Sequence, residues 1–107
     1  MEISQYQIIL ANLDPTMGGE LKKTRPCVVI SPNEMNRHLK TVVIAPMTTS
    51  SKNYPTRIEI KHDNKTGWIV LDQIRTIDKQ RIIRDIGHLS KQETKLVKSI
   101  LKETYID

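Results

Sequence analysis

Apolar positions along this chain fall in short runs separated by polar turns. Tyr6 to Leu13 is apolar on both sides of an extended chain: Tyr6, Ile8 and Leu10 point one way, Ile9, Ala11 and Leu13 the other. Cys27 to Ile30 and Thr41 to Ala45 are rich in β-branched residues and read as strands. Thr56 to Ile60 alternates, Trp68 to Leu71 forms a further strand, Asp72 to Ile77 continues it as a strand or a bend, and Ile86 to Leu89 makes a last short strand. Between them lie a long polar loop ending at Arg25, a hydroxyl-dense loop from Pro46 to Asn53, and a turn from His62 to Gly67. A helical turn is predicted over Asn33 to Leu39, with Ser31 as N-cap and Pro32 in its first turn, and another over Asp78 to Ile83. Ser90-Lys91-Gln92-Glu93 is a capping box, and Leu96, Val97, Ile100 and Leu101 follow at helical spacing. That predicts a terminal helix over Lys91 to Thr104, with Lys95, Lys98 and Lys102 in solvent. Five to seven short strands and one terminal helix describe a mainly β (α+β) small barrel, a single domain over residues 1–107.

Charge narrows the partner. Lys and Arg number 17 against 12 Asp and Glu, a net +5. A small basic domain suits an anionic partner, nucleic acid first, although a solvated basic face fits the same count. The one cysteine, Cys27, sits in an apolar run, so no internal disulfide forms and a reducing compartment is expected. Met1 to Gln5 lacks a leader pattern and no apolar run approaches a membrane span, so a cytoplasmic protein without membrane contact is expected. His38, His62 and His88 have no metal-ligand spacing, and no metal or other cofactor is expected.

The loop between the first two strands carries Glu20, Lys22, Lys23 and Arg25, enough charge for a phosphate-bearing ligand. Its residues also carry a resemblance. Leu13-Asp14-Pro15-Thr16, Gly19-Glu20 and Lys23-Thr24-Arg25-Pro26 are followed by Val28-Val29-Ile30-Ser31-Pro32 with Asn36 and by Val42-Val43-Ile44-Ala45-Pro46-Met47-Thr48. Then come Gly67-Trp68-Ile69-Val70-Leu71-Asp72-Gln73-Ile74-Arg75-Thr76-Ile77-Asp78 and Ile86-Gly87-His88-Leu89-Ser90. In this order they resemble the MazF/PemK-type toxins, bacterial endoribonucleases of type II toxin–antitoxin systems. The resemblance spans nearly the whole chain.

It implies an SH3-like β-barrel of the CcdB/MazF kind, acting as a homodimer that cuts single-stranded mRNA at a short sequence without a metal. The products would carry a 2′,3′-cyclic phosphate and a 5′-hydroxyl. A cognate antitoxin would cover the RNA site, and the toxin–antitoxin complex would reach its operator DNA through the antitoxin. The family's catalytic Arg falls on Arg25, its catalytic Thr on Thr48 and its loop Glu on Glu20; Asp72 matches the acid of the Asp-Gln pair. One relative places an Arg two residues ahead of that Asp, where this chain has Val70.

The side chains suit those roles unequally. Arg25 can fork onto two phosphate oxygens and stays charged, but is a poor proton donor. The Thr48 hydroxyl can fix a phosphate oxygen, with Ser50 and Ser51 as nearby substitutes. Glu20 is a candidate general base, or an orienting partner of Arg25; Asp72 is a second candidate base. For binding RNA, Lys22, Lys23, Lys52 and Arg57 are placed on the backbone and Ser50, Asp72 and Gln73 in the groove, while Tyr54 is the aromatic best placed to stack a base. Arg75 and Arg81 are weaker candidates for the same backbone role, and Trp68 reads as a core or dimer residue. Two other functions share such a barrel: a gyrase poison, disfavoured here because no Trp stands near the C-terminus, and an RNA-binding barrel without catalysis.

Overall fold

In the computed structural model the described residues are 2–13, 24–62 and 64–106, with His62 described by its backbone alone. The elements follow as β1 (Gln7–Asn12), β2 (Thr24–Val29), α1 (Asn33–His38), β3 (Thr41–Thr48), β4 (Arg57–His62), β5 (Lys65–Val70), β6 (Arg75–Asp78), β7 (Ile82–His88) and α2 (Lys91–Tyr105), with 3-10 turns at Leu71–Gln73 and Lys79–Arg81. Every strand pairing is antiparallel, in the order β4-β5-β3-β2-β1-β7, and β6 also pairs with β3. The expected mainly β architecture with a terminal helix is therefore formed, at the upper end of the strand count.

β3 is the hub. One edge pairs with β2 through Ile44, Ala45 and Pro46. The other edge is shared: residues 41–44 pair with β6, and Met47 and Thr48 pair with β5. Proline is tolerated in so central a strand because Pro46 falls between those two stretches, where no neighbour asks for its missing N–H. The strand thus runs through to Thr48, past the end at Ala45 expected from sequence. Met47 faces Ile69, and three residues back Ile44 faces Arg75, six residues on; three residues are therefore looped out, and they are Leu71, Asp72 and Gln73.

Burial explains the apolar runs. On one face Ile8, Val28, Ala45, Met47, Ile69 and Leu71 pack together under Val97 of α2. On the other, Ile9, Ala11, Cys27, Val29, Ile44 and Ile77 form a second cluster. β1 serves both, which is why its alternate residues are apolar on both sides. Each fully buried aliphatic side chain contributes about 1.5–3 kcal/mol.

Several boundaries differ from the sequence reading. β2 begins at Thr24, so Arg25 stands on a strand and not in the loop. β5 begins at Lys65, which faces His62 at the end of β4, with Asn64 at φ 61. β7 starts at Ile82, four residues early, since it pairs along β1 with irregularities between Ile8 and Ile9 and between Leu10 and Ala11. Gly87, at φ 142, stands at the first of these bulges. Ser31 is not an N-cap: its hydroxyl donates to Asn36 Oδ1 at 2.6 Å and accepts from the Val43 N–H at 3.0 Å, a buried polar knot that holds α1 against β3. The Ser90 capping box forms as expected, with Glu93 N to Ser90 Oγ at 3.1 Å and Ser90 N to Glu93 Oε1 at 2.8 Å. Leu96 leaves the predicted stripe and is 52 % exposed, while Val97 carries the burial. Among the described residues no helix is long and apolar enough to cross a membrane.

Candidate functional site

Cross-strand register brings distant parts of the sequence onto one face. Cys27 faces Pro46 and Val29 faces Ile44. Continued two residues, that register sets Arg25 opposite Thr48, a strand spacing of about 4.8 Å away. On the far side Thr48 faces Trp68, and Trp68 faces Glu59. The next row holds Pro46, Val70 and Arg57, since Arg57 faces Val70. Beyond it, Arg75 faces Ile44. All these side chains lie on the face of the second apolar cluster, where that face opens to solvent.

They bound a cleft of about 520 Å³. Arg25 and Thr48 stand at one end, Arg75 at the other, Pro46 and Val70 form an apolar floor, and Arg57, Ser50 and Gln73 line the sides. Gln73 arrives there because the looped-out turn lifts it off the sheet. The structure therefore unites Arg25, Thr48, Ser50, Arg57 and Gln73 from the sequence-derived set. Glu20, Lys22 and Lys23 lie outside the described residues. Lys52, Tyr54 and Asp72 do not line the cleft.

Tyr54 and Asp72 act on Arg57 instead. Arg57 Nε and Nη2 donate to the two Asp72 oxygens at 3.2 and 3.3 Å, and Nη1 donates to Ser51 Oγ at 2.9 Å. Its guanidinium carbon lies 4.9 Å from the Tyr54 ring centroid, a cation–π contact. Asp72 also accepts from the Thr56 hydroxyl at 2.9 Å. Hydrogen bonding to Arg57, with help from Thr56, holds the Asp72 carboxyl below the usual carboxylate range, and the bond to Asp72 raises Arg57 in turn. Such a carboxylate is a weak base, so the structure argues against Asp72 as proton acceptor and makes it a brace for Arg57. Two of the five guanidinium N–H groups of Arg57 remain unused by these bonds.

Thr48 is half-buried, and its hydroxyl donates to the Ser50 carbonyl at 3.2 Å, which fixes the oxygen at the mouth of the cleft. Cys27 is fully buried beneath the arginines; burial pushes its thiol up to about 12, although Arg75 and Arg25 both pull it down. That thiol is no nucleophile. Among the described residues no three of His, Cys, Asp and Glu gather where they could hold a metal ion.

Sequence reasoning left Trp68 out of the site and gave Arg75 little weight. Trp68 belongs to neither apolar cluster; it is half-buried beside Thr48 on the cleft face. Arg75, only a weaker backbone candidate from sequence, lines the cleft. The parity of β5 and β6 against β3 decides both placements, and only the register shows it. A separate apolar groove of about 200 Å³ opens on the opposite face, lined by Ile8, Pro26, Met47, Gly67 and Ile86. A Cβ at Gly67 would come within 3.2 Å of Met47 Cε, at its floor.

Comparison with known proteins matches residues 4–105 to the family described as PemK-like, MazF-like toxin of type II toxin–antitoxin system. The chain is similar to a protein named Endoribonuclease MazF from Staphylococcus saprophyticus, 33 % identical over 100 residues, covering 88 % of this chain and 83 % of that protein. Among solved structures, MazF from Deinococcus radiodurans superposes with TM-score 0.80 at 21 % identity, covering 96 % of both chains. A mycobacterial endoribonuclease in complex with its cognate antitoxin gives 0.81 at 22 %, covering 94 % of this chain and 92 % of that one. Likeness at such identities establishes a shared fold.

Proposed function

Because the chain belongs to the family of PemK-like, MazF-like toxins of type II toxin–antitoxin systems, we propose that it is an endoribonuclease that cuts single-stranded RNA, and mRNA in particular, at a short sequence without a metal. The observation that carries the reading is that Arg25 and Thr48 line one cation-lined cleft, where the β2–β3 register, continued past Cys27 and Pro46, would bring them into one row.

The chemistry follows from those groups. The substrate's 2′-oxygen attacks the adjacent phosphorus, the bond to the 5′-oxygen breaks, and a 2′,3′-cyclic phosphate and a 5′-hydroxyl result. Charge builds on the non-bridging oxygens, where the Arg25 guanidinium holds two of them by a fork of N–H donors. Among the described residues no carboxylate pairs with Arg25. Thr48 sits one strand away; on binding, its hydroxyl exchanges the Ser50 carbonyl for a phosphate oxygen. The braced Arg57 presents its remaining donors along the strand. Glu20 remains the candidate to accept the 2′-hydroxyl proton, with orientation of Arg25 as its other role. A cognate antitoxin covering this cleft, a homodimer, and operator contact through the antitoxin belong to the same reading.

The test is end-mapping of RNA incubated with the purified protein in EDTA. Cleavage at a short motif with cyclic phosphate ends is expected, and Arg25→Ala should lower the rate by about 10²–10³ with the fold intact. A variant that cut as fast as the parent would remove Arg25 from the site. RNA binding without any cut product would favour the non-catalytic barrel, and inhibition of gyrase supercoiling would favour the gyrase poison.

A further inference from the structure

We propose that Arg75 is a second phosphate-binding residue, which holds a phosphate of the RNA strand away from the scissile one, so that the cleft grips its substrate at two points. The inference rests on the endoribonuclease reading for the identity of the strand, and its first test is independent of cleavage.

Separation argues for two phosphates. Arg25 stands in the row of Thr48 and Arg75 in the row of Ile44, four residues apart along β3, which is roughly 13 Å of strand. The two arginines are also on strands either side of β3, about 10 Å apart across two strand spacings. Their backbones are thus on the order of 16 Å apart, so two side chains that stand off the sheet side by side can each meet a different phosphate of one strand. They nevertheless bound the same cleft and exert their fields on the same buried Cys27 sulfur below it.

Availability separates Arg75 from Arg57. Asp72, Ser51 and Tyr54 hold Arg57 in place. Among the described residues Arg75 has no carboxylate, hydroxyl or ring partner, and it is exposed. An exposed, unpaired guanidinium beside an apolar floor of Pro46 and Val70 suits a ligand with alternating anionic and flat apolar parts, as a nucleotide strand has.

The experiment measures binding of a fluorescent pool of short, mixed-sequence 2′-O-methyl RNA, which cannot be cut because its 2′-oxygen is blocked. Affinity is followed against salt for the parent, Arg75→Ala, Arg75→Lys and Lys95→Ala, the last removing one charge from the exposed face of α2. Arg75→Ala should weaken binding and reduce the log–log salt slope by about 0.7, the value for one lost contact on a single strand. Arg75→Lys should keep the slope, and Lys95→Ala should match the parent. On a cleavable RNA, Arg75→Ala should raise KM and leave kcat within about twofold, because the contact is made equally in ground and transition states. Equal slope losses for Arg75→Ala and Lys95→Ala would overturn the proposal, as would a fall in kcat at unchanged KM. If no RNA is cut yet Arg75→Ala alone loses slope, the second contact stands and the nuclease reading falls.

Discussion

Asp72→Asn separates a brace from a base. In the structure Asp72 takes both ends of the Arg57 fork and the Thr56 hydroxyl. Asparagine keeps one oxygen for the fork and loses the charge, while Ser51 and Tyr54 continue to hold Arg57. The loss amounts to one charge-assisted hydrogen bond, so kcat/KM should fall by no more than about tenfold. An exposed ion pair contributes little to the fold, and Tm should move by only a few degrees. Removal of a true general base costs about 10²–10⁴ and erases the acid limb of the pH–rate profile. The sign of the stability effect also follows. The Asp72 carboxyl is held lower in the folded chain than in the unfolded one, so its contribution is present above the unfolded value, about 3.9, and is lost as pH falls through the folded value. Asp72→Asn should therefore show its few degrees of Tm loss at neutral pH and none at pH values below the folded one, which flattens the acid side of the stability curve. The assay is cleavage of a single mapped site over a pH series, with thermal melts alongside. A drop beyond about a hundredfold together with loss of the acid limb would refute the brace and restore Asp72 as the base.

Trp68 is the only tryptophan, and its place beside Thr48 makes it a reporter: binding of 2′-O-methyl RNA should change its emission, and an unchanged spectrum at saturation would remove it from the RNA path. Leu71 is fully buried in the turn that carries Asp72 and Gln73, so Leu71→Ala should cost about 2–5 kcal/mol in urea unfolding. A cost below about 1 kcal/mol would mean that the turn is not anchored by that side chain.

Elements that hold themselves together were the most legible. The α2 capping box is complete within four residues, and both signals that define it are local. β1 advertised its two-sided burial through consecutive apolar residues. Ser31 misled because a serine before a proline suits a cap, while the bond it makes depends on Asn36 folding back and on β3 arriving beside it. Tyr54 shows a contact that sequence did not suggest. An aromatic side chain in the polar loop after Thr48 suggested a stacking partner for a base, and in the structure one face of that ring lies against Arg57. At the site, Arg25 and Thr48 entered through family resemblance, because nothing within the chain's own spacing says that residues 23 apart will stand in one row. Arg57 was found by its charge, and its brace was not, since Asp72 is 15 residues away.

The three-residue turn Leu71–Gln73 has an odd length, and that changes which residues the strand shows to solvent. Side chains alternate along a strand, so a chain running straight from β5 into β6 would keep even-numbered residues, Trp68 and Val70 onward, on the cleft face. After the turn the odd-numbered residues occupy it: Ile77 joins the Cys27 cluster and Arg75 faces the cleft. The turn acts as a frame-shift in the sheet. Surface turns ordinarily absorb insertions and deletions, but here the loss or gain of one residue would swap the faces of β6 unless its pairing with β3 slipped as well. Natural length variation at this turn should therefore come in steps of two.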